Sequence, residues 1–387
     1  MVRTSLLRSV KVAGLVIVSL ALLAGGLYGF AFLNTSRSGL ARAIVWKDAD
    51  VLDYRRFPAR SMAASGDPLV LQQASEDPRL LDTAVPGGDL ETFLDSSQAA
   101  AFIVIRNQEI LYENYFNGYG RDSIVTSFSV AKSYIATLVG IALDKQLITN
   151  LDEPVTRYVP ELLDRDQRFQ RITLRHLLTM SSGLRWDERG LPWSDDAETY
   201  YGTDLREVAM EDTEIVSPPG REFVYNPYNT LLLGIVLERA TGLPVSRFME
   251  QWLWQPMGTV AEGTWSIDSE GSGFEKMESG LNARAIDMVK IGMLYLHGGA
   301  LSGNRIVSER WTAEATAFTD GKDPSTRYQY QWWTYSDPEL GDWFAAQGNK
   351  GQIVAVFPSK DLVLGRFGIE AGQDHLPDVL LEMARSL

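Results

Sequence analysis

The longest apolar run in the chain lies at its start. Val12 to Leu33 is 22 residues without a charge, about 33 Å as a helix at 1.5 Å per residue and enough to cross a hydrocarbon core. Arg3, Arg8 and Lys11 precede it, and a basic leading end predicts the N-terminus in the cytoplasm and the rest outside. The run's length favours an uncleaved anchor in the inner membrane. The alternative is a secretory signal removed after export, although such signals usually have an apolar region of about 7–15 residues. Ala41-Arg42-Ala43 has the small-residue character of a cleavage site but lies far beyond the run. Residues 1–11 therefore read as a basic cytoplasmic leader and 12–33 as transmembrane anchor or signal. Residues 34–85, rich in Ser, Ala, Asp and Pro, read as a tether and wrapping segment, with one folded domain over 86–387.

Within that domain the pattern changes twice. Leu90, Phe93 and Leu94 have helical spacing. Ala101 to Ile105, the turn Asn107-Gln108, and Ile110 to Tyr112 then read as a β-hairpin. At the far end, Tyr328 to Tyr335 and Trp343 to Ala346 read as strands. Ile353 to Phe357 and Leu362 to Leu364 make a hairpin around Pro358-Ser359-Lys360-Asp361, and Leu376 to Leu387 is helical. Between these ends the spacing is helical over Ser129–Asp144, Leu174–Met180, Thr230–Thr241, Val245–Trp254 and Ala285–Leu296. The fold class is α/β in the α+β sense: an antiparallel sheet from both chain ends flanked by helices, an inserted helical subdomain, and a cleft between the lobes.

Composition narrows the function. The apolar share of 45% and charged share of 22% are those of a globular chain. A formal net charge of −14 repels phosphate backbones and argues against nucleic acid as a partner. With no cysteine there is no disulfide, thiolate metal site or cysteine nucleophile. The three histidines, His176, His297 and His375, form no His-x-x-x-His pair, so neither a metal nor another cofactor is expected. His176 and His297 read as structural.

The chemistry centres on Ser127-Phe128-Ser129-Val130-Ala131-Lys132-Ser133. The segment that follows is apolar almost all round, as in a buried helix. A serine in its first turn sits where backbone N–H groups are unpaired and the dipole favours negative charge. Lys132, three residues on, returns to the same face. Burial there disfavours the ammonium form and makes the amine a candidate base for the serine proton. The plainer alternative is an N-cap serine with a snorkelling lysine. Tyr225, on the turn before the helix around Leu231, can present its phenol for acid–base work; alternatively it closes the core edge. Gly348-Asn349-Lys350-Gly351-Gln352 ends a strand with two glycines that permit close approach to a ligand. A backbone N–H here, with that of Ser129, is a candidate oxyanion hole, against the alternative of an ordinary turn.

These motifs together resemble the class C-like branch of the β-lactamase and penicillin-recognising serine hydrolases. Ser129-Val130-Ala131-Lys132 is similar to their Ser-x-x-Lys. Ile172 to Leu184 is similar to the block Thr-(Ile/Leu)-x-His-Leu-Leu-x-Met-x-Ser-Gly, and Tyr225 falls at the tyrosine of Tyr-x-Asn. Within the branch, Ser127 to Ser133, Trp186-Asp187-Glu188 and Gly348-x-x-Gly351-Gln352 most resemble 6-aminohexanoate-dimer hydrolases and related esterases. The resemblance runs from about Leu90 to the C-terminus and implies a β-lactamase/transpeptidase-like fold, making 86–387 a serine hydrolase domain. It implies Ser129 as nucleophile, Lys132 and Tyr225 as general base and acid, and an oxyanion held by the N–H groups of Ser129 and Asn349. Gly348, Gly351, Trp186 and Glu188 would lie at the substrate, a small ester or amide.

The sequence departs from the pattern at three places. Pro227 replaces the asparagine of Tyr-x-Asn, leaving Asn226 or Asn229 as substitutes. Ala346-Gln347-Gly348 replaces the Lys-Thr-Gly that engages a substrate carboxylate. Gly190 occupies the place nearest to a tyrosine that nylon-oligomer hydrolases carry after Trp-x-Glu. Arg185 to Glu214 holds ten acidic residues against three arginines with interspersed aromatics, either a solvated loop or a lid. The leading expectation is an exported or anchored esterase or amidase; the alternatives are a β-lactamase or DD-peptidase, or a non-catalytic binding module of the same fold. Oligomeric state is not readable from the sequence.

Overall fold

A computed structural model describes residues 2–74, 89–318, 327–370 and 376–387, with backbone alone for 2–12. Residues 75–88 of the expected tether and His375 lie outside the described residues. The chain forms two units, Met1–Ala49 with Asp187–Thr203, and Asp50–Trp186 with Asp204–Leu387.

In the first unit, helix α1 (Val2–Leu33) contains the apolar stretch Ala13–Leu33, long enough to span a membrane or to act as an export signal. Leu15, Ile17, Leu22, Phe30 and Leu33 along it are exposed. The Asn34 side chain donates to the Phe30 carbonyl at 2.8 Å at the helix end. Ser38 then caps a second helix, α2 (Gly39–Trp46), by accepting from Ala41 N. The remaining element is the short helix Asp195–Tyr201.

The second unit is built on two antiparallel sheets. The smaller has the order β1-β5-β6-β4, with β1 Ala59–Met62, β4 Ile124–Thr126, β5 Gly263–Ser266 and β6 Leu281–Arg284. The larger has seven strands in the order β3-β2-β13-β12-β11-β10-β9. Its N-terminal pair is β2 (Ala99–Arg106) and β3 (Glu109–Tyr115). Its C-terminal set is β9 (Tyr328–Gln329), β10 (Trp332–Asp337), β11 (Gly341–Gly348), β12 (Gln352–Phe357) and β13 (Leu362–Gly368); a two-stranded ribbon, β7 (Ala300–Leu301) and β8 (Asn304–Arg305), stands apart. The sheet joins both chain ends through β13 and β2, which pair Val363 with Ile105 and Leu364 with Val104. Seven of the eight β2 residues are buried, because helices cover both faces and strict alternation is not needed. One face carries Leu90–Ser96 and Leu376–Ser386. The other carries helix α3 (Val130–Asp144) and Lys290–Leu296. The first hairpin turns through Asn107 and Gln108, both at positive φ (52° and 64°), as a two-residue type I′ turn requires.

Helix α4 (Pro227–Thr241) has Asn226 as N-cap, Pro227 in its first turn and left-handed Gly242 at its end. Three expected helices differ in detail. Val245–Met249 passes into a π turn at Glu250–Trp254. The helix at 285–296 divides at Val289. The helix from Leu174 stops at Leu178, with Met180 at φ 53°. The segment 34–85 is also not one tether. Residues up to Ala49 fold with the first unit, whereas β1 pairs with β5 in the second, matching Arg60 to Trp265, because an extended segment satisfies its backbone groups by completing a sheet edge.

Candidate active site

Strand β4 delivers the chain to the site. Its pairing with β6 sets Thr126 opposite Asn282, and Ser127 N donates to Leu281 O at 2.8 Å. The next residue, Phe128, is held at φ +42°, a left-handed conformation that a bulky residue adopts only when its surroundings impose it. Ser129 follows at the N-cap of α3, yet its side chain makes no capping hydrogen bond. Its oxygen instead accepts from Lys132 Nζ at 2.9 Å. Lys132 is 1% exposed, so it does not snorkel to water, and its second bond goes to the Glu278 carbonyl at 3.0 Å. The N-cap alternative for this pair therefore fails on geometry: the hydroxyl is not used as a cap and the amine is enclosed.

Gly348 ends β11 against this turn. A Cβ placed on Gly348 would lie 2.6 Å from Ser127 O, 2.9 Å from Ser129 N and 3.2 Å from Phe128 Cβ. Glycine is required there by proximity, since its own φ of −144° is open to any residue. Among the described hydrogen bonds none takes the Ser129 N–H, which leaves that donor available beside the end of β11. Asn349 begins a short 3-10 turn over Asn349–Gly351, and its side chain accepts from Lys350 N at 2.8 Å. Gly351 O and Ser97 O are both held by the buried Arg366 guanidinium. Burial away from any carboxylate pulls Arg366 down to about 10.

Tyr225 stands on the loop that the Ile172–Leu184 block supports. Val224 N donates to Met180 O at 2.9 Å and Gly220 N to Ser181 O at 2.7 Å. Lys132 Nζ lies 5.1 Å from the Tyr225 ring centroid, over the ring face. The Tyr225 hydroxyl forms no hydrogen bond to Ser129 or Lys132, nor to any other described residue. The ring is packed by neighbours instead: stacked on Trp333 at 5.8 Å and edge-on to Tyr328 at 5.9 Å. Phe223 joins the same cluster at 5.4 Å from Tyr328. Tyr328 is buried, and burial, reinforced by the neighbouring Tyr225, raises its phenol well above the usual range.

The proposed substitutes for the missing Tyr-x-Asn asparagine are both engaged in structure. Asn226 caps α4 through Tyr228 N at 2.9 Å and donates to Leu184 O and Arg185 O. Asn229 is 1% exposed and donates to Asn226 O. At the place of Lys-Thr-Gly, Ala346 is buried and Gln347 donates to the Tyr335 hydroxyl. The nearby cation Lys350 is paired with Glu370 at 2.7 Å. Trp186 packs edge-on against Tyr228 at 5.7 Å. Glu188 is exposed and belongs to the first unit, so the geometry of the second unit does not include it. Among the described residues no group of three or more His, Asp or Glu is placed to hold a metal. Sequence reasoning did not single out Tyr328, Trp333 or Phe223, although Tyr328-x-Tyr330-x-Trp332-Trp333 is a dense aromatic run. Nor did it find the Glu278 carbonyl, a backbone acceptor that no residue type announces.

Residues 90–367 match the Beta-lactamase family model, and the chain belongs to that family of serine hydrolases. The 6-aminohexanoate-dimer hydrolase of Paenarthrobacter ureafaciens is 28% identical over 379 residues, covering 87% of this chain and 89% of its own. Esterase EstB of Burkholderia gladioli is 30% identical over 229 residues, covering 51% of this chain and 57% of its own. In structure, a Bacillus anthracis protein assigned to the 6-aminohexanoate-dimer hydrolases superposes with a TM-score of 0.74 at 23% identity, covering 84% of this chain and 89% of that one.

Proposed function

We propose that the protein is a membrane-anchored hydrolase that cleaves small esters or amides through an acyl-enzyme on Ser129, with its catalytic domain on the outer side of the inner membrane. The observation that carries this reading is the 2.9 Å contact between Ser129 Oγ and a lysine that is 1% exposed. The Lys132 amine accepts the serine proton as Oγ attacks the carbonyl carbon. The new oxyanion rests on the backbone N–H groups of Ser129 and Asn349, and Gly348 lets the end of β11 lie close against the Ser127–Ser129 backbone. Collapse of the adduct expels the alcohol or amine, which takes a proton from Tyr225. Catalytic hydrogen bonds are often long without substrate, and the phenol completes its bond when the leaving group arrives. Water then attacks the acyl-enzyme by the reverse route, releasing the acid and Ser129.

Among the described residues, the buried Ala346 and the pairing of Lys350 with Glu370 leave no free cation at the end of β11 for a substrate carboxylate, which supports neutral esters and amides over β-lactams. The basic residues that precede the apolar stretch within α1 support the outward orientation. The test is turnover of p-nitrophenyl acetate by wild type and Ser129→Ala, with nitrocefin assayed alongside. Ester hydrolysis that Ser129→Ala abolishes, with nitrocefin turned over far more slowly, is the expected result. Nitrocefin turnover matching that of the ester would favour the β-lactamase reading instead.

A further inference from the structure

The first unit joins parts of the chain about 150 positions apart. Helix α2 begins five residues after Val2–Leu33 ends, and its buried face grips the end of the insertion helix Asp195–Tyr201. Arg42, 3% exposed, donates from Nη1 to the carbonyls of Tyr201 and Gly202, each at 3.2 Å, and from Nε to Thr35 O at 2.8 Å. A cation at the last carbonyls of a helix is favourably placed. The Tyr201 hydroxyl returns a bond to Lys47 O at 2.6 Å, and Trp46 meets the Tyr201 ring edge-on at 6.0 Å. Gly39 lies so close to Gly202 that an added Cβ would be 3.0 Å from its Cα. Ala41-Arg42-Ala43, which resembled a processing site, is the centre of this clamp and is buried.

Among the described residues of the first unit, none covers the opposite side of α2. At about 100° per residue, Leu40 and Ile44 lie roughly diametrically opposite Arg42, and they are 48% and 41% exposed. Exposed Arg37 and Lys47 flank the helix at its two ends. The end of the insertion helix packs on the Arg42 side. We propose that α2 is an interfacial helix: Leu40 and Ile44 rest in the surface of the phospholipid bilayer, Arg37 and Lys47 meet phosphate headgroups, and the Arg42 clamp holds the 187–203 insertion at the membrane face. The occupant follows from continuity, because five residues after a membrane span cannot carry α2 far from the bilayer. This rests on reading α1 as an uncleaved anchor.

The absence of cysteine makes the test clean. Single variants Leu23→Cys, Leu40→Cys, Ile44→Cys and Val216→Cys of the full chain are labelled with an environment-sensitive fluorophore. They are reconstituted in phosphatidylcholine–phosphatidylglycerol vesicles with shallow doxyl lipid to report positions 40, 44 and 216, with deep doxyl lipid to report position 23, or with neither. Probes at 40 and 44 are expected to be quenched at least about twofold more than the probe at the exposed position 216. If 23 is quenched while 40 and 44 behave as 216 does, the anchor stands and docking is overturned. If 23 is not quenched, the anchor reading falls and docking with it. In the same vesicles Arg42→Ala, and independently Gly39→Val, should speed tryptic cleavage at exposed Arg189 by about tenfold, as local opening predicts. Unchanged cleavage in both variants would overturn the clamp.

Discussion

The sharpest structural test of the site is Gly348→Ala. The added methyl would stand 2.6 Å from Ser127 O and 2.9 Å from Ser129 N. Both are backbone atoms, so no side chain can rotate away. Reaching ordinary contact requires β11 and the Ser129 turn to part by roughly 0.5–0.8 Å. The backbone at 348 is extended, with φ −144° and ψ 164°, so alanine brings no conformational penalty and the effect is one of distance. The two proposed oxyanion donors lie on opposite sides of that gap. A misplacement approaching 1 Å costs about 10²-fold, or ~2.7 kcal/mol of transition-state stabilisation. Overpacking should cost about 1–3 kcal/mol of stability, offset in part by the loss of a flexible glycine from the unfolded chain. The assay is kcat/KM and burst amplitude with p-nitrophenyl acetate, beside the thermal midpoint. The drop should fall on kcat, because the donors act on the oxyanion more than on the bound ester. A variant retaining kcat/KM within about threefold would refute the reasoning, since steric separation of this size cannot leave a working oxyanion hole intact.

Other consequences follow from the same geometry. Lys132→Ala and Tyr225→Phe should each lower kcat by at least about 10²-fold in the ester assay; Lys132→Arg should not restore it, because a guanidinium does not accept a proton in this range. Asp287 Oδ1 accepts from Val260 N at 2.8 Å and Lys290 Nζ at 3.0 Å, with both charged side chains 0% exposed. Asp287→Ala should therefore cost about 3–5 kcal/mol in urea unfolding, more than Lys290→Met, because it strands a buried ammonium. Burial lowers His176 below its ordinary 6.5, and its Nδ1 accepts from Thr173 N at 3.1 Å, which needs the neutral ring. The unfolded chain thus binds the proton more readily. Stability should be complete above pH 6.5 and fall as the pH drops below it, with His176→Gln flattening that slope in pH-dependent thermal unfolding.

Much of the fold was legible because its signals are local. The turn residues Asn107 and Gln108 and the apolar runs on either side mark the first hairpin, and the all-apolar surround of Ser129 to Asp144 marks a buried helix with a lysine in it. That both chain ends share one antiparallel sheet followed from strand patterns at both ends, and β2 and β13 form the junction. Legibility ends where backbone atoms or distant partners decide. The Glu278 carbonyl that shares Lys132 carries no residue-type signal. Tyr225 was placed by motif, but its packing by Trp333 and Tyr328 depends on β9 and β10, more than 100 positions later. The clamp is the clearest case. Ala41-Arg42-Ala43 has the composition of a cleavage site, and only the position of Tyr201 and Gly202 shows that the arginine is enclosed by helix-end carbonyls. The acidic run after Arg185 divides likewise: part of it folds on α2, and Glu214 pairs with Arg185 at 3.2 Å.

The central claim is that the hydroxyl held by Lys132 is the group that becomes acylated. Mass-spectrometric mapping of the full-length protein after reaction with a fluorophosphonate tests it most directly. A single adduct on the peptide containing Ser129, absent when Lys132 is replaced by alanine, is the predicted result. An adduct on any other serine, or labelling of Ser129 that is indifferent to Lys132, would contradict it.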